Sequence, residues 1–162
     1  MSVVVVGNPK LRSRTRLAGE LVVEAVTGSP PDTVIELSEI GPGLLGWGDP
    51  TVAAAKAAVL AAGDLLVVAT PTYKATYTGL LKLFLDQFGA GELAGQVTVP
   101  LMLGGGLQHA LAPELTLRPV LVEIGASCPW PALYLLDTEI EGSPLLDAWL
   151  VRQRSTHVVA GR

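Results

Sequence analysis

Short apolar runs alternate with helix-length segments along the whole chain, and that rhythm is the first thing the sequence offers. Val3, Val4, Val5 and Val6 form an unbroken run that Gly7-Asn8-Pro9 ends, which predicts a strand buried on both faces. Residues 15–26 set Leu17, Leu21, Val22 and Ala25 on one helical stripe. A turn at Ser29-Pro30-Pro31-Asp32 follows, and residues 33–37 alternate like a second strand. Residues 41–50 hold four glycines, two prolines and Trp47 and read as a loop. Residues 51–62 are alanine-rich and helical, with Gly63 placed as a C-terminal cap. The third strand, residues 65–69, stops at Thr70-Pro71, after which Leu80, Leu81, Phe84, Leu85 and Phe88 recur at helical spacing. Residues 96–103 form a fourth strand ending in Gly104-Gly105-Gly106, and residues 107–127 are mostly helical despite Pro113 and Pro119. A proline inside a helix removes one hydrogen bond and crowds the preceding turn, so Pro119 predicts a kink or a π-bulge near Leu115 to Leu117. Residues 131–136 make a fifth strand and residues 144–154 a closing helix.

Strands that alternate with helices imply a parallel sheet with right-handed crossovers. Five of each in 162 residues is the flavodoxin-like count. The expected fold class is therefore α/β: a three-layer sandwich around a five-stranded parallel sheet of order 2-1-3-4-5, with residues 1–162 as one domain. In such a sheet ligands bind above the carboxyl ends of the strands. Strands one, three and four carry the unusual segments there: residues 7–15, 71–75 and 104–106. The expectation is that they share one edge.

Charge and composition narrow the function classes. A formal net charge of −4 argues against a nucleic-acid binder, which needs a broad basic face. The single Cys128 excludes an internal disulfide and, without a His/Cys cluster, disfavours a zinc site. No apolar run approaches the roughly 20 residues of a membrane helix, and the N-terminus enters a strand without a basic leader, so a cytoplasmic protein is the expectation.

Lys10, Arg12, Arg14 and Arg16 bring four of the 11 basic residues into seven positions of an acidic chain. Ser13 and Thr15 stand there at a helix start, where free N–H groups and partial positive charge suit a phosphate. Arg14 or Lys10 adds charge-assisted bonds to the same oxygens. The competing role for Ser13 is a plain N-cap, and for the cations a solvated face. No Gly-x-x-x-x-Gly-Lys-Ser/Thr occurs, so this is not a nucleoside-triphosphate loop. In the second segment, Pro71-Thr72-Tyr73-Lys74-Ala75, Tyr73 reads either as a ligand contact or as a half-buried loop aromatic, and Lys74 as a surface charge. The triplet Gly104-Gly105-Gly106 lets backbone approach a ligand without an intervening Cβ, or is simply a turn. His109 reads as structural or a minor contact. Cys128, in Cys-Pro-Trp-Pro, reads as a small buried hydrophobe.

Ala69-Thr70-Pro71-Thr72-Tyr73-Lys74-Ala75-Thr76-Tyr77-Thr78-Gly79-Leu80-Leu81-Lys82 resembles the flavin-contacting loop and helix of NAD(P)H-dependent FMN reductases, in the branch serving sulfonate-sulfur monooxygenases. The first loop is similar to that family's phosphate loop, Gly-Ser-Pro-Arg, a spacer, then Ser-Arg-Ser. Here Asn8, Lys10 and Thr15 replace Ser, Arg and the last Ser, each keeping a polar or cationic atom. The resemblance spans about residues 2–126. It implies an oxidoreductase passing hydride from a nicotinamide nucleotide to FMN, with reduced flavin supplied to a partner monooxygenase. Asn8, Lys10, Ser13, Arg14 and Thr15 would hold the phosphate. Pro71, Thr72, Tyr73 and Lys74, with Gly104, Gly105 and Gly106, would line the ring and ribityl. The flavin supplies the chemistry, so no acid–base residue and no metal ligand is assigned. The family's two-component members carry Tyr or His where this chain has Leu115, on a helix that lies at their subunit interface, so a homodimer or homotetramer is implied. Other readings are a quinone or azo reductase with bound FMN, and a non-enzymatic flavodoxin-like electron carrier.

Overall fold

The computed structural model describes residues 1–159, with side chains to residue 153. Five parallel strands, β1 (Ser2–Val6), β2 (Thr33–Glu36), β3 (Leu65–Pro71), β4 (Thr98–Gly104) and β5 (Leu133–Leu136), pair in the order β2-β1-β3-β4-β5. This is the expected flavodoxin-like topology. The register is continuous through the centre: Val5 lies beside Ile35 on one side and Val68 on the other.

Two helical layers explain why the central strands are apolar at every position. Val3, Val5, Leu66, Val68 and Met102 face a core shared with α2 (Leu37–Ile40), α3 (Pro50–Leu60), α4 (Gly79–Leu85) and α5 (Arg118–Glu123). Val4, Val6, Val67, Ala69 and Leu101 face α1 (Arg14–Thr27) and α6 (Pro144–Val159). Alternate residues point to opposite faces, so a strand covered on both sides needs apolar groups throughout. On the second face Gly19 of α1 lies so near the sheet that a Cβ there would stand 2.5 Å from Val4 Cγ1. Pro100 sits inside β4 without breaking the ladder. Thr98 donates to Ser127 O on the β5 side, so by the two-residue repeat the missing N–H of Pro100 faces that side too, one residue before β5 pairing begins at Leu101.

Several boundaries differ from the sequence expectation. The second strand ends at Glu36, because Leu37 already opens α2, and residues 41–45 are a 3₁₀ turn rather than open loop. Helix α3 stops at Leu60 with Ala61 in right-handed geometry. Gly63 is not its cap: its N–H reaches Met1 O at 3.0 Å and joins the start of the sheet. The third strand continues through Thr70 to Pro71, paired with Leu103. The closing helix runs on to Val159. The predicted distortion in the fourth helical segment is present. Residues 107–109 form a 3₁₀ turn and Pro113–Leu117 a π-helix, with Arg118 N–H donating to Pro113 O five residues back. Pro119 has no N–H to offer the preceding turn, and the wider turn absorbs that loss. No helix among the described residues is long and apolar enough to cross a membrane.

Candidate functional site

The first loop is built before any ligand arrives. Ser13 is the N-cap of α1, its hydroxyl accepting Arg16 N–H at 3.4 Å. Asn8 Nδ2 donates to Thr15 Oγ1 at 2.8 Å while its Oδ1 accepts Lys10 N–H at 2.9 Å, folding residues 8–10 over the helix start. Arg12 is left-handed (φ 49°), and its N–H is anchored on the Glu36 carboxylate at 2.9 Å. Glu36, 5 % exposed, also receives Arg16 Nη1 at 2.8 Å. Arg16 is thus committed to Glu36 and Glu20, whose bonds hold its guanidinium pKa above the ordinary value, and it serves the scaffold. Ser13 and Thr15 are buried, and the first N–H groups of α1 have no intrahelical acceptor.

Thr78 ties this loop to its neighbour. Its buried hydroxyl donates to Gly7 O at 2.6 Å and accepts Leu81 N–H at 3.1 Å, capping α4, while its own N–H reaches Thr70 Oγ1 at 3.2 Å. The ends of β1 and β3 are therefore bonded to each other. Beyond Pro71, Thr72 N–H donates to Leu103 O at 2.7 Å, and Tyr73 and Thr76 exchange backbone bonds of 2.8 and 3.2 Å. Lys74 (φ 53°) and Ala75 (φ 65°) fill the tight turn between them. This is a conformation that glycine adopts far more readily. Tyr73 stays half exposed at the rim.

The glycines of the third loop sit in different surroundings. A Cβ on Gly104 would stand 2.1 Å from the Tyr134 hydroxyl, whereas one on Gly105 would meet nothing within 4 Å. The Tyr134 hydroxyl donates to Gly106 O at 2.7 Å, and burial raises its pKa. Thr72 Oγ1 is buried beside the Tyr134 hydroxyl, near enough to act on it but without a well-aligned hydrogen bond of its own.

These segments converge on one cleft of about 340 Å³ at the carboxyl edge of the sheet. Asn8, Lys10, Ser13, Arg14 and Thr15 line it from the first loop, Pro71, Thr72 and Tyr73 from the second, Gly104 and Gly105 from the third. Lys74, at the exposed tip of its turn, and Gly106, whose carbonyl is held by Tyr134, do not line it, nor does half-buried His109. Three lining residues were not singled out in the sequence: Arg12, Leu103 and Asp137. Arg12 belongs to the cationic run and was legible there. Asp137 follows β5, and no local pattern marks it. Arg14 closes that side of the cleft, its Nη1 2.8 Å from Asp137 O. The donor set fits a flavin mononucleotide: three cations and a helix N-terminus for a phosphate, open backbone at Gly105 and a hydroxyl at Thr72 on the cleft lining. Cys128 stands apart from the cleft, and burial pushes its thiol up to about 11, so it is a protonated core group at neutral pH.

Comparison with known proteins gives the family. The family model described as NADPH-dependent FMN reductase matches residues 1–138, and the chain belongs to that family. It is 34 % identical to an FMN reductase (NADPH) of Pseudomonas aeruginosa over 124 residues, covering 73 % of this chain and 67 % of that protein. An Escherichia coli protein of the same name is 48 % identical over 63 residues, which cover 39 % of this chain. That match spans 33 % of the E. coli protein, and a second match spans 42 % of a Pseudomonas putida relative. Among solved structures, an NADH:FMN oxidoreductase, EMOB, in its apo form superposes with a TM-score of 0.78 at 29 % identity, covering 93 % of this chain and 88 % of that one.

Proposed function

We propose that this member of the NADPH-dependent FMN reductase family binds FMN in the cleft and reduces it with NADPH or NADH. The observation that supports this best is the convergence of three sequence-distant loops on one rim, with the cations gathered at the start of α1. Bound FMN supplies the redox chemistry, taking up two electrons and a proton from the nicotinamide nucleotide. The chain's own residues bind and orient. Lys10, Arg12 and Arg14 neutralise the phosphate, and the N–H groups at the head of α1 receive its oxygens. Asn8 acts one step back by holding Thr15 and the Lys10 backbone in place. The Thr72 hydroxyl would hydrogen-bond the polar part of the flavin, and the open backbone at Gly105 would admit it without steric hindrance. Tyr73, half exposed at the rim, would offer an aromatic surface to the incoming nicotinamide nucleotide.

Two finer readings go with it. Reduced flavin passes to a flavin-dependent monooxygenase, a reading supported by the resemblance of the Ala69–Lys82 segment in sequence. The chain self-associates as a dimer or tetramer through the π-helix face, where Leu111 and Leu115 are 69 % and 67 % exposed beside Leu107 and Val122. Mixing the pure protein with FMN and NADPH, then NADH, and following pyridine absorbance tests the central reading. Steady FMN-dependent oxidation is expected with at least one nucleotide. No oxidation with either removes the reductase.

A further inference from the structure

The cleft holds one carboxylate among its described lining residues, and it stands where the cations are. Asp137 comes to the cleft through the sheet: Gly104 pairs with Leu136, and the next residue, Asp137, donates its N–H to Gly104 O at 3.0 Å. Its backbone is therefore fixed to the third loop. Arg14 reaches across from the first loop and places Nη1 2.8 Å from Asp137 O, but 3.9 Å from Asp137 Oδ1. The guanidinium is located by the carbonyl. The carboxylate lies beyond hydrogen-bond range and contributes charge rather than position. Both side chains keep substantial contact with solvent, at 63 % and 36 % exposure, so water partly screens the charge each presents to an incoming anion.

We propose that Asp137 is a determinant of flavin affinity and selectivity: its carboxylate shares the Arg14 guanidinium with the flavin phosphate and opposes the phosphate's charge, so FMN is held less tightly than the cationic loop alone would hold it. This rests on the reading of the cleft as an FMN site. A phosphate monoester carries about −1.5 to −2 at neutral pH, so a nearby carboxylate acts against it while leaving riboflavin, which has no phosphate, unaffected. The effect is that of one partly solvated charge on another, roughly a three- to tenfold change in Kd, and it weakens as salt screens it.

The test is a set of equilibrium titrations of FMN and riboflavin by flavin fluorescence, on the wild type, Asp137→Asn and Asp137→Glu. Asp137→Asn keeps shape and the backbone bonds to Arg14 and Gly104 while removing the charge. It should tighten FMN about three- to tenfold and leave riboflavin within about twofold, with the gain shrinking as ionic strength rises past about 0.3 M. Asp137→Glu, which restores the charge, should return FMN toward the wild-type value. Unchanged or weakened FMN binding in Asp137→Asn overturns the proposal, as does an equal shift for both flavins. A wild type that prefers FMN over riboflavin, combined with an unresponsive Asp137→Asn, sinks this inference and spares the FMN site. A wild type that binds neither flavin removes both.

Discussion

The two ends of the cleft are built on opposite plans. At the phosphate end the backbone frame is already bonded in place: the Asn8 side chain to Thr15, the Arg12 backbone N–H to Glu36, the Arg14 guanidinium to Asp137 O, and the Thr78 hydroxyl behind them to Gly7 O. At the outer end, Tyr73 stands half exposed on a two-residue turn held by a pair of backbone bonds, with Lys74 and Ala75 in left-handed geometry. A preorganised anion site binds without ordering its own groups, whereas an open aromatic rim accommodates a second ring that must arrive and leave. On the proposed function, affinity is concentrated in the first end and turnover in the second.

That contrast makes separable predictions. Thr78→Val removes a buried hydroxyl that serves Gly7 O and Leu81 N–H together, leaving both unsatisfied. Urea denaturation should show a loss of about 2–3 kcal/mol, and flavin binding should weaken with the loosened loop. Arg14→Ala removes one charge-assisted contact at the phosphate end. It should weaken FMN about tenfold, roughly 1.5 kcal/mol, with riboflavin little changed. Equal losses for the two flavins would place Arg14 away from the phosphate. At the outer end, Ala75→Gly relieves a left-handed alanine, and thermal melting should show stability raised by up to about 1 kcal/mol with FMN affinity unchanged. A change in FMN affinity there would mean that the turn is part of the anion site after all.

Three carboxylates with depressed pKa values lie outside the cleft lining. Ser2 N–H lowers the Asp32 pKa below its ordinary 3.8, the Thr51 hydroxyl does the same for Asp49, and Lys56 lowers Glu92 below 4.5. A carboxylate whose folded pKa is depressed stabilises the fold fully above its ordinary value and loses that contribution as pH falls through the folded one. Melting temperature should therefore be flat near neutrality with respect to these groups and decline gently below about pH 4. Asp32 and Glu92 are exposed and Asp49 partly so, and the slope should be the smallest effect here.

Much of this was legible in the chain because the information was local. Four consecutive valines declare a doubly covered strand, and Pro119 declares a distorted helix, since each acts on its own neighbourhood. The convergence of the three loops followed from strand order alone. What escaped depended on tertiary partners. Gly63 resembled a helix cap, but its N–H found Met1 O in the sheet. Gly104 resembled a place for close ligand approach, while the neighbour that requires a glycine there is the Tyr134 hydroxyl, 30 residues on. Asp137 carries no motif, and only the β4–β5 pairing brings it opposite Arg14. Lys74 looked like a ligand contact from its place in the motif, yet the turn sets it at an exposed tip outside the cleft lining.

The central claim is that one rim, assembled from three loops, takes up FMN. Backbone amide shifts of the labelled protein, recorded while FMN is added, test it most directly. The account predicts that the large changes cluster at Asn8, Lys10, residues 12–15, residues 72–73, Gly104, Gly105 and Asp137, and leave the groove around Leu85, Phe88 and Val120 still. Changes centred on that groove, or spread evenly over the molecule, would contradict it.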